Sequence, residues 1–311
     1  MQLWWKRYTR NWRDNANKSL NKKVAGIKFV SKEKSVMPKV IIGVPINKKS
    51  AYILDKFLKN QQEIKREYQN SKIIFATEEK EFKKELYRKI RKYDLEAEIL
   101  TFDVIKPDYA KDRIFNITQA RETIRRYFLD NTDAEYLLFI DCDMIFEPGI
   151  IRKLLNEISN YDVVYNCYLF RDRKGLSLNG FGSTLIRRWV LEKTKFRCFE
   201  KKGSPVVVGE GVYFEVDLFK LGAKVARGIY VRSIHFNNDE EARRFGCRYV
   251  VTEPRPLRLI EKINVMALIR QFLSLFSESP VLMWIVTRLG VLLRDISSNL
   301  HPQQKIRGEK L

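Results

Sequence analysis

The chain has 311 residues, 45% of them hydrophobic, with 59 basic against 38 acidic side chains and a formal net charge of +21. That length holds one large α/β domain with appendages, or two domains, and the apolar content allows a substantial core. The four cysteines, at 142, 167, 198 and 247, lack zinc-ligand and redox-motif spacing, and no run of about 18–20 apolar residues reads as a membrane span. Free thiols in a reducing cytosol are the simplest reading. The N-terminus carries charge without an apolar core segment, so no secretory signal is expected.

The charge is uneven. Residues 1–39 carry 11 basic and 2 acidic side chains, residues 40–252 carry 39 and 31, and residues 253–311 carry 9 and 5. Residues 1–36 read as a basic extension that seeks a polyanion, whether anionic lipid, nucleic acid or an acidic polymer, or that serves as a solubilising tail. Trp4, Tyr8 and Trp12 recur every four residues among Lys6, Arg7, Arg10 and Arg13. As a helix this puts one aromatic face among cations, suited to a membrane interface or to docking on the protein's own core. Residues 14–35 read as a weakly ordered linker.

An alternating pattern then begins. Residues 39–45 read as a strand and 51–69 as a helix with Ile53, Leu54, Phe57, Leu58 and Ile64 along one side. Residues 73–76 are a second strand, 80–92 a charged helix and 97–102 a third strand. A long helix over 116–130 places Ile117, Ala120, Ile124 and Phe128 on its apolar side, and a strand runs from Tyr136 to Asp141. Strands alternating with helices predict βαβ units and a parallel sheet. The second half is more mixed. A helix starts at Pro148 and runs through Ile158, strands follow at 163–168 and 180–186, and a helix begins at Arg187. Residues 206–211 lead into a helix over 212–222 closed by Gly222. Residues 228–231 and 233–236 read as strand material. Glu253-Pro254-Arg255-Pro256 marks a boundary, and 257–276 and 280–296 read as two apolar helices. Arg270 and Arg288 interrupt them, so neither reads as a span, and they pack on the α/β body or lie in a bilayer surface.

The most informative stretch is Tyr136-Leu137-Leu138-Phe139-Ile140-Asp141-Cys142-Asp143. An apolar run that short reads as a buried strand of a covered sheet. Ligands bind at the carboxyl ends of such strands. Two carboxylates one residue apart at that end suit a divalent cation held against a phosphate, because hard cations take oxygen ligands; the plainer reading is an acidic turn. His235, one of two histidines, follows a strand downstream. A neutral imidazole completing a two-oxygen site favours Mn²⁺ over Mg²⁺.

Four blocks, over about residues 38–238, resemble GT-A-fold, nucleotide-sugar-dependent glycosyltransferases with an Asp-x-Asp motif. Ala120-Arg121-Glu122-Thr123-Ile124 with the strand ending Asp141-Cys142-Asp143 resembles the Ala-Arg-Asn helix and Asp-x-Asp strand of one branch. Gly180-Phe181-Gly182-Ser183-Thr184-Leu185-Ile186-Arg187-Arg188 is similar to the strand and helix start that border the acceptor site. Gly209-Glu210-Gly211-Val212-Tyr213-Phe214 looks like the Gly-Glu-Asp-x-x-Phe helix, and Val231-Arg232-Ser233-Ile234-His235 stands in the place of a late metal-binding histidine.

The resemblance implies an α/β GT-A fold, Rossmann-like with a mostly parallel central sheet flanked by helices, and a C-terminal helical extension. It implies a basic extension over 1–36, a catalytic domain over 37–252 with its nucleotide-binding half at 37–143 and acceptor half at 144–252, and a helical hairpin over 253–311. It implies Asp143 and His235 as direct metal ligands, with Asp141 on the metal through water or on the donor ribose. Arg121 would meet the diphosphate or donor sugar, Pro45 the base, and Glu78 the base or ribose. Acids at 78 and 79 also suit a plain helix start. The donor would be UDP- or GDP-linked and the acceptor a glycan or glycolipid, lipid-linked or membrane-proximal. Two departures stand out. Gly211 replaces the Asp that usually serves as base, leaving Glu210 as the surviving carboxylate, and Glu122 replaces the usual Asn. The basic extension and apolar hairpin together imply peripheral attachment to the cytoplasmic face of an anionic membrane. The rival classes are a basic nucleic-acid-binding protein, for which no recognised module is present, and a nucleotidyltransferase, which would show a Gly-rich loop where Gly43-Val44-Pro45-Ile46-Asn47 has one glycine.

Overall fold

The computed structural model describes residues 38–110, 113–170, 175–200, 202, 207–236, 249–258, 279, 281, 282, 284, 285 and 288. The expected basic extension with its Trp4-Tyr8-Trp12 face lies outside these residues, as does the expected helix over 257–276 from residue 259 onward.

The first half alternates as the pattern predicts. β1 (Val40–Pro45), β2 (Ser71–Thr77) and β3 (Ala97–Thr101) are joined by α1 (Leu54–Glu67) and α2 (Lys80–Lys92), and α3 (Ile114–Asn131) leads into β4 (Tyr136–Ile140). The second half contributes β5 (Met144–Phe146), α4 (Ile150–Ile158), β6 (Val163–Asn166), β7 (Tyr168–Leu169), β8 (Leu176–Ser177), β9 (Ser183–Arg187) and α5 (Arg188–Lys193). Then come β10 (Phe199–Glu200), β11 (Val207–Val208), α6 (Glu210–Lys220), β12 (Val225–Gly228), β13 (Ser233–Phe236) and β14 (Tyr249–Thr252). A seven-stranded sheet runs in the order β12-β6-β9-β4-β1-β2-β3. Its pairings are parallel except at β9, which runs antiparallel to both β4 and β6. The fold is therefore α/β with a mostly parallel central sheet flanked by helices. β5, β13 and β14 form a separate antiparallel sheet.

Both faces of the large sheet are covered, which is why its central strands read as unbroken apolar runs. Val40, Ile42 and Val44 share one core with residues of α1, α2 and α4, whereas Ile41 joins α3, α5 and α6 in the other. That alternation is the period of two expected of a strand. α3 lies close on β1 because Gly43 has no side chain: a Cβ there would sit 2.7 Å from Ile124 Cγ2. Gly222, at φ +65°, closes the turn after α6 as expected.

The strand expected at 228–231 lies instead at Val225–Gly228, where it pairs with β6. Beyond it the Asn166 side chain replaces a strand partner, its Oδ1 accepting from Tyr230 N (2.9 Å) and Val231 N (3.1 Å). The strand expected over 163–168 is divided at Cys167 into β6 and β7, and α6 starts at Glu210 rather than residue 212. Arg187 and Arg188 are structural. Arg188 donates to the carbonyls of Phe128, Thr132 and Ala134 and so caps the end of α3. In the C-terminal segment, Val281, Leu282, Trp284, Ile285 and Arg288 are helical, and Trp284 packs against Val208, Tyr213 and Val216. Among the described residues no helix is long and apolar enough to cross a membrane.

Glu122 fastens the back of α3. It accepts from Arg125 Nε and Nη2 (both 2.8 Å), Arg126 Nε (3.0 Å) and Phe196 N (3.1 Å), while Arg125 Nη1 reaches Leu191 O (2.7 Å). Burial raises the Glu122 pKa, but Arg125 and the other donors outweigh it and hold the carboxyl below its ordinary value of 4.5. A depressed carboxylate contributes stability above its unfolded pKa and loses it as pH falls through the folded value. The melting temperature of the protein should therefore fall below pH 4.5, and Glu122→Gln should flatten that acid limb while lowering stability at neutral pH. Melting curves against pH check this. Gly43→Ala, which forces α3 off β1, should cost about 1–3 kcal/mol in urea unfolding.

Candidate active site

β4 delivers the acidic pair. Its five residues are buried, and the chain emerges at Asp141. Asp141 N donates to Gly182 O of the neighbouring segment (3.3 Å), and Met144 N returns to Asp141 O (3.1 Å), so Asp141-Cys142-Asp143 forms a tight turn into β5. Gly182 is required there: a Cβ would stand 2.6 Å from the Tyr168 hydroxyl and 2.7 Å from Met144 Sδ. Gly182 N donates to that hydroxyl (3.3 Å). Burial first, and then the charge of Asp141, push the Tyr168 pKa well up, so the phenol stays protonated. The glycine end of β9 thus adjoins Asp141, while Arg187 pairs with Tyr136 at the opposite end of β4. The expectation that Arg187 and Arg188 border the site is corrected accordingly.

Behind Asp141 lies Arg121, 3% exposed. Its Nη2 donates to Asp141 Oδ1 (2.7 Å), and its Nη1 donates to Glu210 Oε1. Thr118, one turn earlier on α3, donates from Oγ1 to Glu210 Oε2 (3.1 Å). The guanidinium lies 5.0 Å over the Phe181 ring. Burial pulls its pKa down, but Glu210 and Asp141 outweigh that and hold it above the ordinary value. Arg121 is therefore a permanent cation whose fork is occupied by two carboxylates. Glu210, on the first turn of α6, is buried with both oxygens accepting hydrogen bonds.

Asp143 meets His235. β13 pairs with β5 so that His235 lies opposite Met144, and Phe236 N donates to Asp143 O (2.9 Å). The His235 Nε2 stands 3.7 Å from Asp143 Oδ1, its Nδ1 lies 3.2 Å from Leu169 O, and the Tyr168 ring meets the imidazole edge-on at 5.6 Å. A carbonyl only accepts, so the bond to Leu169 assigns the proton to Nδ1 and leaves the Nε2 lone pair aimed at a carboxylate. Ligands each about 2.1 Å from a small divalent ion lie at most about 4.2 Å apart, and 3.7 Å falls inside that limit. Asp143 and His235 therefore fit a divalent cation. Asp141, engaged by Arg121, does not join them closely: among the described residues no group of three His, Cys, Asp or Glu side chains is gathered as a metal cluster.

A cleft opens beside this pair over the carboxyl ends of β1, β2 and β4. Pro45, Glu78, Asp141 and Asp143 line it, and Asn47, Ser50, Arg113 and Asn116 complete its wall. Asn116 Nδ2 donates to Glu78 Oε1 (2.8 Å), fixing that carboxylate from α3. Glu79 turns away to accept from Lys48 N (2.6 Å). The structure thus gathers Pro45, Glu78, Asp141 and Asp143 around one cleft, with His235 beside Asp143 and Arg121 and Glu210 behind Asp141. Sequence reasoning missed Arg113 and Asn116. Their signal was the i, i+3, i+4, i+7 stripe of Arg113, Asn116, Ile117 and Ala120 on α3, which faces the cleft. Ile117 and Ala120 belong to that wall, although Ala120 also touches the core.

No protein-family model and no curated protein sequence matches the chain. Among solved structures it is similar to A197 from STIV, with 18% identity over 71% of this chain and 97% of that one, at a TM-score of 0.39. It is also similar to the mannosyltransferase PcManGT from Pyrobaculum calidifontis in complex with GDP-Man and Mn2+, with 13% identity over 62% of this chain and 55% of that one, at a TM-score of 0.45. A third similarity is to S. aureus TarS 1-349 in complex with UDP, with 13% identity over 61% of this chain and 59% of that one, at a TM-score of 0.43. The chain thus spans little more than half the length of the last two proteins.

Proposed function

We propose that this chain is a metal-dependent glycosyltransferase that moves a sugar from a UDP- or GDP-linked donor to a glycan or glycolipid acceptor. The observation that carries the reading is the Asp143–His235 pair at 3.7 Å, set beside a cleft at the carboxyl ends of parallel strands. A leaving nucleoside diphosphate gains negative charge as the glycosidic bond breaks. A divalent ion held by Asp143 and His235, Mn²⁺ in preference to Mg²⁺ because one ligand is nitrogen, supplies Lewis acidity when bound.

The chain's own groups have separate tasks. Asp141, held by Arg121, presents its remaining lone pairs to the donor ribose or to a metal-bound water. Pro45 packs the base, and Glu78, oriented by Asn116, accepts from base or ribose. Arg113 brings a cation to the cleft wall, placed for a phosphate. Glu210 is the candidate base for the acceptor hydroxyl, each of its oxygens keeping a lone pair beyond the one used by Arg121 or Thr118. At Gly211 a Cβ would make ordinary van der Waals contacts, the nearest with Asn179 O at 3.5 Å, so the position admits a side chain without strain.

The reading is tested by donor hydrolysis across UDP- and GDP-sugars with Mn²⁺, which needs no known acceptor. Asp143→Ala should abolish hydrolysis and leave the circular dichroism spectrum and melting temperature in place; full activity in excess EDTA would overturn the proposal. Glu210→Gln should cut sugar transfer about a hundredfold or more, as expected of a lost general base, with donor affinity by calorimetry little changed. Near-normal transfer by that variant would move the base to another group.

A further inference from the structure

The positive charge of the described fold is concentrated on one helix. Residues 80–92, the span of α2, carry seven basic and two acidic side chains, a net charge of +5, whereas residues 93–258 together sum to +2. α2 buries Phe82, Leu86 and Ile90 against the core and turns Lys80, Lys83, Lys84, Arg88, Arg91 and Lys92 outward. Lys80, Lys84, Arg88 and Lys92 follow one another at i, i+4, an arrangement in which like charges repel along the helix. Partners are few. Lys84 meets Glu81, Lys80 meets Asp103, and Lys89 and Lys92 share Asp55. Lys83 and Arg88 form no ion pair among the described residues. Tyr87 stands in the middle of this face, 51% exposed, with the Arg91 guanidinium 5.4 Å from its ring centre.

We propose that the outer face of α2 is a docking surface for an anionic lipid bilayer. Charge complementarity identifies the partner as a polyanion, and the exposed tyrosine among the cations selects the bilayer. Phe82, Leu86 and Ile90 pin α2 along its length, so its cations and Tyr87 lie on the outward side. A row of cations around one exposed tyrosine matches the headgroup layer, where basic side chains are attracted and tyrosine rings partition. The surface also reaches the cleft. α2 starts at the carboxyl end of β2 just after Glu78, and exposed Lys48 and Lys49 adjoin that start through the bond from Lys48 N to Glu79 (2.6 Å). Docking on α2 therefore brings the cleft mouth beside the bilayer. The inference stands on the described fold alone, independent of residues 1–37 and of the chemistry assigned to the cleft.

The test compares co-sedimentation of the full chain with phosphatidylcholine vesicles and with vesicles containing phosphatidylglycerol, at low and raised salt. The expected result is binding to the anionic vesicles only, weakened by salt. Combining Lys83→Glu, Lys84→Glu, Arg88→Glu and Arg91→Glu should lower that binding about a hundredfold or more, since each basic group near an anionic surface adds to attraction. The same four positions changed to Gln, which remove charge without adding any, should give a smaller loss in the same direction. Melting curves establish that both variants fold. Wild-type binding by the folded charge-reversal variant would overturn the assignment, as would failure of the wild type to bind anionic vesicles. Tighter binding to duplex DNA than to the vesicles, lost in the same variants, would overturn the choice of partner.

Discussion

The buried guanidinium of Arg121 is the constraint on which the site depends. A charge that deep in a protein is tolerated only with partners, and this one has two, Asp141 at 2.7 Å and Glu210 on its other arm. The three residues come from α3, the end of β4 that follows it, and the start of α6, which is remote in the chain and meets them through packing. One cation therefore fixes where the turn after β4 begins and where α6 starts. Phe181, under the guanidinium at 5.0 Å, belongs to the aromatic group of Phe139, Phe196 and Phe214 that fills the core on this side of the sheet. The ion triad is thus seated on a buried aromatic cluster, which supports the acidic turn.

The small antiparallel sheet does a different job. Asp143 and His235 are separated by most of the second half of the chain, and only the register of β13 on β5 sets them 3.7 Å apart. β5 is the direct continuation of the Asp141-Cys142-Asp143 turn, so the strand that carries the second acid away from the large sheet also recruits the histidine. Tyr168 and the two glycines of β9's approach complete the junction. Gly180 and Gly182 both let the Tyr168 hydroxyl come within a distance that a side chain would forbid. The tyrosine can then pack edge-on against the imidazole and fix its plane.

What was legible in the sequence follows from range. β1, β2 and β4 are unbroken apolar runs and α1 to α3 carry an apolar stripe at helical spacing, so pattern alone located them within a few residues. The acidic pair was legible because an apolar strand ending in two carboxylates has no packing explanation. β5, β8, β10, β11 and β14 were not distinctly legible: each is two to four residues long, and β5 and β14 pair with β13, a strand remote in the chain from β5. No local pattern encodes such a partner. Glu122 shows the same limit from the other side. It stands as a departure from the resembled motif, yet it lies on the back of α3, bound to Arg125, Arg126 and Phe196 N and away from the cleft. Which helical face a polar residue occupies is decided by what packs there, and the chain letters alone do not say.

The same reasoning bears on the net charge of +21. Composition counts every cation alike, but the fold sorts them. Arg121, Arg125 and Arg227 are each neutralised by carboxylates in or near the core, Arg227 by Glu215 at 2.5 Å. Arg188 is consumed by the carbonyls that end α3. These side chains stabilise the fold and present little field to solution. Six of the seven cations of α2 are the opposite case: they are exposed, and Lys83, Arg88 and Arg91 form no ion pair among the described residues. A basic composition becomes a functional statement only where such charge is left over after structure has used its share, as it is along the outer face of α2.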